Sequence, residues 1–160
     1  MLKLYRLSEL ANEYWETWEA GTGEHIVHWG ILGTRGMSRT IKSTFFRKAS
    51  KTIQAEIDEL IQQGYQPIPL EEQAILMIEY TVDGFGSTSD LEKRHRLEDR
   101  MNETLGWTGL GACDGGSIGS NSMEVCNFVV HFEIAKRAIE DDLKGTEFEN
   151  YTRIYDENAE

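Results

Sequence analysis

The sequence predicts an α+β protein in two parts. A small antiparallel sheet with one helix occupies residues 1–65, and a βαββαβ unit occupies residues 74–160, with a linker at 66–73. Three observations carry this. Both prolines fall within Tyr65-Gln66-Pro67-Ile68-Pro69-Leu70-Glu71-Glu72, where they can neither continue a helix nor pair in a central strand. Before that segment, alternating apolar residues give way once to helical spacing; after it, strand and helix patterns alternate. Charge divides at the same place: residues 1–65 hold 8 Lys plus Arg against 8 Asp plus Glu, and residues 66–160 hold 8 against 20.

In the first part, residues 12–19 alternate around Tyr14, Trp15 and Trp18, Gly21-Thr22-Gly23 has turn chemistry, and residues 24–31 are β-branched and aromatic. Residues 39–46 resume the strand pattern. Phe46, Ala49, Ile53, Ile57, Leu60 and Ile61 then recur at helical spacing, and Gly64 follows as a C-terminal cap.

In the second part, residues 74–82 form a strongly apolar strand. Asp83-Gly84-Phe85-Gly86 makes a loop, and Ser89-Asp90-Leu91-Glu92 reads as a capping box opening a helix to about Leu105. Strands at 109–114 and 123–131 are joined by the glycine-rich segment 115–121 as a hairpin. A second helix places Ala135, Ala138, Ile139 and Leu143 on one face, and residues 151–155 close the order. This βαββαβ order is the split-βαβ, ferredoxin-like arrangement, an antiparallel sheet with both helices on one face.

The chain has 160 residues, 39% hydrophobic and 28% charged, enough apolar content for a packed core. Its start lacks the apolar core of a signal peptide, no stretch approaches the roughly 18 apolar residues of a membrane span, and only two cysteines occur. A cytoplasmic protein without membrane attachment is expected.

Glu13-Tyr14-Trp15-Glu16, a short turn, His28-Trp29-Gly30-Ile31-Leu32-Gly33-Thr34-Arg35-Gly36, then the strand from Arg39 and a helix ending near Gly64-Tyr65 resemble the WGR domain over about residues 3–65. The resemblance implies a small antiparallel sheet crossed by a helix. It also implies a docking role, since some members, notably in DNA-dependent poly(ADP-ribose) polymerases, contact DNA ends and relay that contact to neighbouring domains. Trp29 and Gly30 match the motif Trp and Gly, while Ile31 replaces its Arg. Ile has neither the charge nor the donors of a guanidinium, so any phosphate contact falls to another group. Residues 35–51 supply one: Arg35, Arg39, Lys42, Arg47, Lys48 and Lys51 occur there without an acidic residue, a footprint suited to DNA or RNA. With Trp29 these are the candidate binding residues, against the alternative that the stripe is a solvated face and Trp29 part of the core.

The second part offers a candidate ligand loop at Gly84, Gly86, Asp114, Gly115 and Gly116, where backbone N–H groups would approach an anion. The segment matches neither a P-loop nor a dinucleotide fingerprint, and a glycine-rich hairpin with bulges is the competing reading. It resembles segments of bacterial proteins without an assigned activity. If the hairpin turns near Gly119-Ser120, Cys113 and Cys126 face each other, open to a disulfide, a metal pair or, as the favoured reading, two buried thiols. His25 and His28 lie three apart on a strand and point to opposite faces, against joint metal binding. The acidic residues at 140–142, 147–149 and 156–160 form either a solubilising surface or one complementary to a basic protein, as in an immunity-type inhibitor of a toxin. Ferredoxin-like units also pair through sheet faces or edges, so a dimer is compatible. The leading expectation is a non-catalytic binding protein without cofactor or metal. The alternatives are the inhibitor and a small-ligand sensor or enzyme using the glycine-rich loops.

Overall fold

The structure, a computed structural model, describes residues 1–159. The chain is α+β and divides into two compact units, Met1–Ile68 and Pro69–Glu160.

The first unit is a four-stranded antiparallel sheet in sequential order, β1 (Leu2–Leu7), β2 (Asn12–Gly21), β3 (Glu24–Ile31) and β4 (Met37–Lys42), followed by helix α1 (Ala49–Gln62). Alternation assigns its faces. Leu4, Trp15 and Val27 are buried with Ile53 of α1, and Trp29, Ile41, Ile57 and Leu60 pack around them. Gly64, with φ +92°, follows the last helical turn. Gln66 then exchanges backbone hydrogen bonds with Tyr5 at 2.8 and 2.9 Å, tying the start of the proline segment to this sheet.

Two details differ from the sequence expectation. Residues 2–7 add a strand, because Leu2 and Leu4 share the apolar face across from Thr17 and Trp15. The strand expected at 39–46 spans Met37–Lys42 instead. Thr44 N–H donates to Arg47 O at 2.8 Å and Arg47 N–H to Thr44 Oγ1 at 3.2 Å, a local turn that outcompetes ladder pairing and excludes Phe46 from the helix.

The second unit holds a sheet of order β6-β7-β5-β8, all antiparallel, from β5 (Ala74–Thr81), β6 (Gly111–Gly119), β7 (Ser122–Val129) and β8 (Arg153–Asp156). Helices α2 (Thr88–Trp107) and α3 (Phe132–Leu143) complete the βαββαβ order, so this is the ferredoxin-like topology. Leu76, Ile78 and Tyr80 of β5, Met123, Val125 and Val129 of β7, Leu97, Met101 and Leu105 of α2, and Ala135, Ile139 and Leu143 of α3 are buried. Arg100 joins the helices through Asp142, donating at 2.8 Å to its carboxylate and at 2.9 Å to its carbonyl.

Helix α2 starts two residues earlier than the expected capping box. Ser87 is the N-cap: its Oγ accepts from Asp90 N–H at 3.2 Å, and Asp90 Oδ2 accepts from Ser87 N–H at 2.7 Å. Ser87 Oγ–H also donates to Asp90 Oδ2 at 2.7 Å, and this bond first, with the Ser87 backbone N–H second, holds the Asp90 carboxyl below its usual 3.8. The folded value is depressed, so the cap's contribution is present above the unfolded value and fades as pH falls through the folded one. Ser87→Ala is expected to cost about 1 kcal/mol of stability at neutral pH, with the deficit shrinking as Asp90 protonates; denaturant unfolding at several pH values measures it.

The hairpin also differs. The expected seven-residue connection is two residues, Ser120 and Asn121, with φ of 47° and 68°, a tight turn of the primed kind. The ladder pairs Gly119 with Ser122 and Gly115 with Cys126, but a bulge at Asp114 shifts Cys113 opposite Asn127. The cysteines therefore do not pair across the ladder, and both are free. Burial first raises the Cys113 thiol to about 11 and also raises that of Cys126. Starting from the usual 9.0, Cys113 holds about a hundredfold less thiolate near neutrality. Iodoacetamide is accordingly expected to label Cys113 of the native protein about a hundredfold more slowly than the unfolded chain; equal rates would contradict this.

Candidate functional site

Gly30 and Gly36 shape the loop that follows the His28-Trp29-Gly30 segment. A Cβ on Gly30 would lie 2.7 Å from Gly36 Cα, and one on Gly36 would lie 2.2 Å from the Trp29 carbonyl oxygen and 2.5 Å from Tyr14 Oη. Only with both positions bare can the 32–36 loop fold back over the sheet, on the face away from α1.

Buried side chains clamp the folded loop. His28 Nε2 lies 2.6 Å from Arg35 O and 3.2 Å from Tyr14 Oη, and Tyr14 Oη donates to Thr34 O at 2.9 Å. On the other side of the ring, Nδ1 lies 2.7 Å from Glu16 Oε1, and Lys3 Nζ approaches Glu16 Oε2 at 3.3 Å. Lys3, Glu16 and His28 form one cross-strand row, because Lys3 pairs with Glu16 and Glu16 with His28 in the ladder. A carbonyl only accepts, so Nε2 carries its proton toward Arg35 O. The Tyr14 hydroxyl is pushed up to about 12, by burial first and by Glu16 second, so it remains a neutral donor. Arg35 is thereby fixed by its backbone while its side chain stays exposed.

The other candidates divide. Trp29 packs against the α1 face, and the Arg39 guanidinium stands 5.7 Å from its ring centroid. Arg39 is itself ion-paired with Glu56, whose other oxygen accepts from Trp15 Nε1 at 3.0 Å. This side of the stripe is knitted into the unit, and Trp29 is not a free stacking surface. Lys42 has a loose partner in Glu24 at 3.4 Å. Arg35, Arg47, Lys48 and Lys51 are exposed and have no carboxylate within 4.0 Å among the described residues.

Three of those four sit at the start of α1. Lys48 is its N-cap without a side-chain cap bond, no acidic residue occupies the first turn, and Lys51 stands at the third helical position. The positive end of the helix dipole thus faces lysines, an arrangement that disfavours the helix and concentrates positive potential. Ser43 Oγ supplies the missing cap by accepting from Ala49 N–H at 3.0 Å.

Sequence reasoning missed His28, Glu16 and Tyr14 as a group, and Phe45 and Phe46, which project fully into solvent from the β4–α1 turn. A signal for the phenylalanines was present: adjacent residues on one strand point to opposite faces, so an edge strand cannot bury both.

The glycine-rich residues of the second unit serve its packing. Gly84 N–H donates to Asn121 Oδ1 at 2.8 Å, and Asn121 N–H to Gly84 O at 2.7 Å, stitching the loop after β5 to the hairpin turn. A Cβ on Gly86 would lie 2.7 Å from Ile118 Cγ2, and one on Gly116 would lie 2.4 Å from Glu124 O. Arg94 of α2 crosses Gly116 and donates to its carbonyl at 2.7 Å. Gly115 follows the bulge with φ +113° and Asp114 is exposed. The depression nearest Gly86 is lined by Thr81, Val82, Asp83, Ser87 and Asp90, so an anion there would meet two carboxylates. Part of the acidic surface is also internally engaged, Asp142 by Arg100 and Glu147 by a two-pronged bond from Arg96 at 2.9 and 2.8 Å.

Among the described residues no group of three or more His, Cys, Asp or Glu is disposed to hold a metal ion, and no helix is long and apolar enough to cross a membrane. No protein-family model, curated protein or solved structure matches the chain.

Proposed function

We propose that the chain is a non-catalytic docking protein whose first unit, a WGR-type module, holds a nucleic acid along the edge bearing Arg35, Arg47, Lys48 and Lys51. The observation that carries this is the cationic start of α1. Three basic side chains gather where the helix dipole is already positive, and no carboxylate among the described residues lies within 4.0 Å of them. Folding gains nothing from that arrangement, whereas a phosphate backbone neutralises it and releases counterions. Arg35 adds a fourth cation from a clamped loop, in place of the charge that Ile31 lacks.

The test uses a substitution that separates binding from folding. Glu favours the first helical turn, so Lys51→Glu is expected to stabilise the unit by about 0.3–1 kcal/mol while weakening nucleic-acid binding. Fluorescence anisotropy across a salt series should give a log–log slope near −3 for four phosphate contacts, at roughly 0.7 to 0.9 each, and the variant should lose about one contact from that slope. A stabilised variant with unchanged affinity would remove the cationic edge from the binding surface. Absence of binding to any nucleic acid at low salt would defeat the reading altogether.

A further inference from the structure

The turn between β4 and α1 carries more than a cationic edge requires. Phe45 and Phe46 are 97% and 94% exposed, although burying either ring would stabilise the unit. Their position is built. Thr44 and Arg47 close the turn through reciprocal hydrogen bonds, Ser43 N–H donates to Gly23 O at 2.7 Å, and Ser43 Oγ holds the first helical N–H. The two rings stand edge to face, with centroids 5.2 Å apart and planes at 85°. Lys42 precedes them, and Arg47 and Lys48 follow directly.

We propose that Phe45 and Phe46 form a stacking platform for the bases of a single-stranded nucleic acid, with its phosphates on Lys42, Arg47 and Lys48. This rests on the cationic edge being the nucleic-acid surface. Exposed aromatics bracketed by cations match the two surfaces of a single strand, its base faces and its phosphates. A duplex does not fit the rings. Its base faces are covered by their neighbours, and two planes at right angles cannot both join one stack of parallel bases. Unpaired nucleotides turn independently, so successive bases can meet perpendicular rings. A membrane would also receive an aromatic tip beside cations. Here, however, the cations continue from Arg35 before β4 to Lys51 after the turn, past a six-residue strand of about 17 Å, a track suited to a linear polyanion.

The experiment titrates the full chain with labelled oligo(dT) and oligo(U) of about twelve nucleotides, the oligo(dT)·oligo(dA) duplex, and vesicles of phosphatidylcholine with one-fifth phosphatidylserine. Expected are tighter binding to single strands than to the duplex and a loss of about fivefold to a hundredfold on Phe45→Ala or Phe46→Ala, in the range of one lost base–aromatic stack. Phe45→Tyr should retain affinity, and the exposed rings allow the alanine variants to unfold at an unchanged temperature. The two single-stranded probes report whether DNA or RNA is preferred, and preference for either supports the proposal. Equal or tighter duplex binding, or alanine variants with unchanged affinity, overturns the platform while leaving the cationic edge intact. Binding to vesicles alone, or to nothing, overturns both.

Discussion

His28→Ala is expected to destabilise the first unit by about 3 kcal/mol, because the buried Glu16 carboxyl and the Arg35 carbonyl lose the imidazole that hydrogen-bonds them. Glu16 would stay in a site that is almost fully buried, with Lys3 beside it at 3.3 Å. Arg35 O and Tyr14 Oη would lose the imidazole that faces them. Three of the four tryptophans, Trp15, Trp18 and Trp29, lie in this unit, so tryptophan fluorescence of a Trp107→Phe background during denaturant unfolding follows it, and hydrogen exchange on 24–36 peptides locates the loss. Replacing both partners by Leu should cost less than the two single replacements combined, because neither is left in place without the other. The same substitution frees the 32–36 loop and should weaken binding through Arg35. A cost below about 1 kcal/mol, within the range of a dispensable exposed pair, would show that the clamp does not hold the loop.

Gly111→Ala is the second large effect, and it tests what the glycine-rich hairpin is for. The added Cβ would lie 1.9 Å from Phe128 O on the neighbouring strand, and φ there is +152°. Backbone strain contributes about 1–3 kcal/mol and the forced separation of β6 from β7 about 1–3 kcal/mol more. Gly119→Ala is the matched control: nothing lies within 4 Å of its Cβ, and its φ falls outside the positive range. It should leave stability unchanged or raise it by about 0.4–1 kcal/mol. If these glycines instead existed to admit a ligand, both substitutions would leave stability alike. Thermal unfolding of the pair decides between the two.

Much of the architecture was legible because its signals are local. Alternation around Trp15 and Trp29, helical spacing from Ala49 to Ile61, and the two prolines marked the elements and the break between them. Errors fell where a short-range hydrogen bond competed with a period. Ser87 captured the α2 cap although Ser89 lies closer to the apolar run, and Thr44 folded the chain back where Phe45 and Phe46 read as strand. The hairpin register was missed for another reason. The chain turns at Ser120-Asn121 rather than Gly119-Ser120, which moves every pairing by two; the bulge at Asp114 takes one back, and nothing in the composition of a glycine-rich strand marks either.

The candidate site was half legible. The cations at 35–51 stood out as an uninterrupted run, yet the run did not show that Arg39 is tied to Glu56, seventeen positions away, or that Lys48 and Lys51 flank the positive end of a helix dipole.

The sequence by itself determined the α+β class, the two units, the βαββαβ order and the location of positive charge, because periodicity, proline and charge are properties of neighbouring residues. Only the tertiary structure decided that His28, Glu16 and Tyr14 meet, that Gly30 and Gly36 let the Arg35 loop close over them, and that two phenylalanines are left in water. Each of those depends on register and loop closure between residues distant in the chain, and the free energy of such contacts is set by what arrives on the other side.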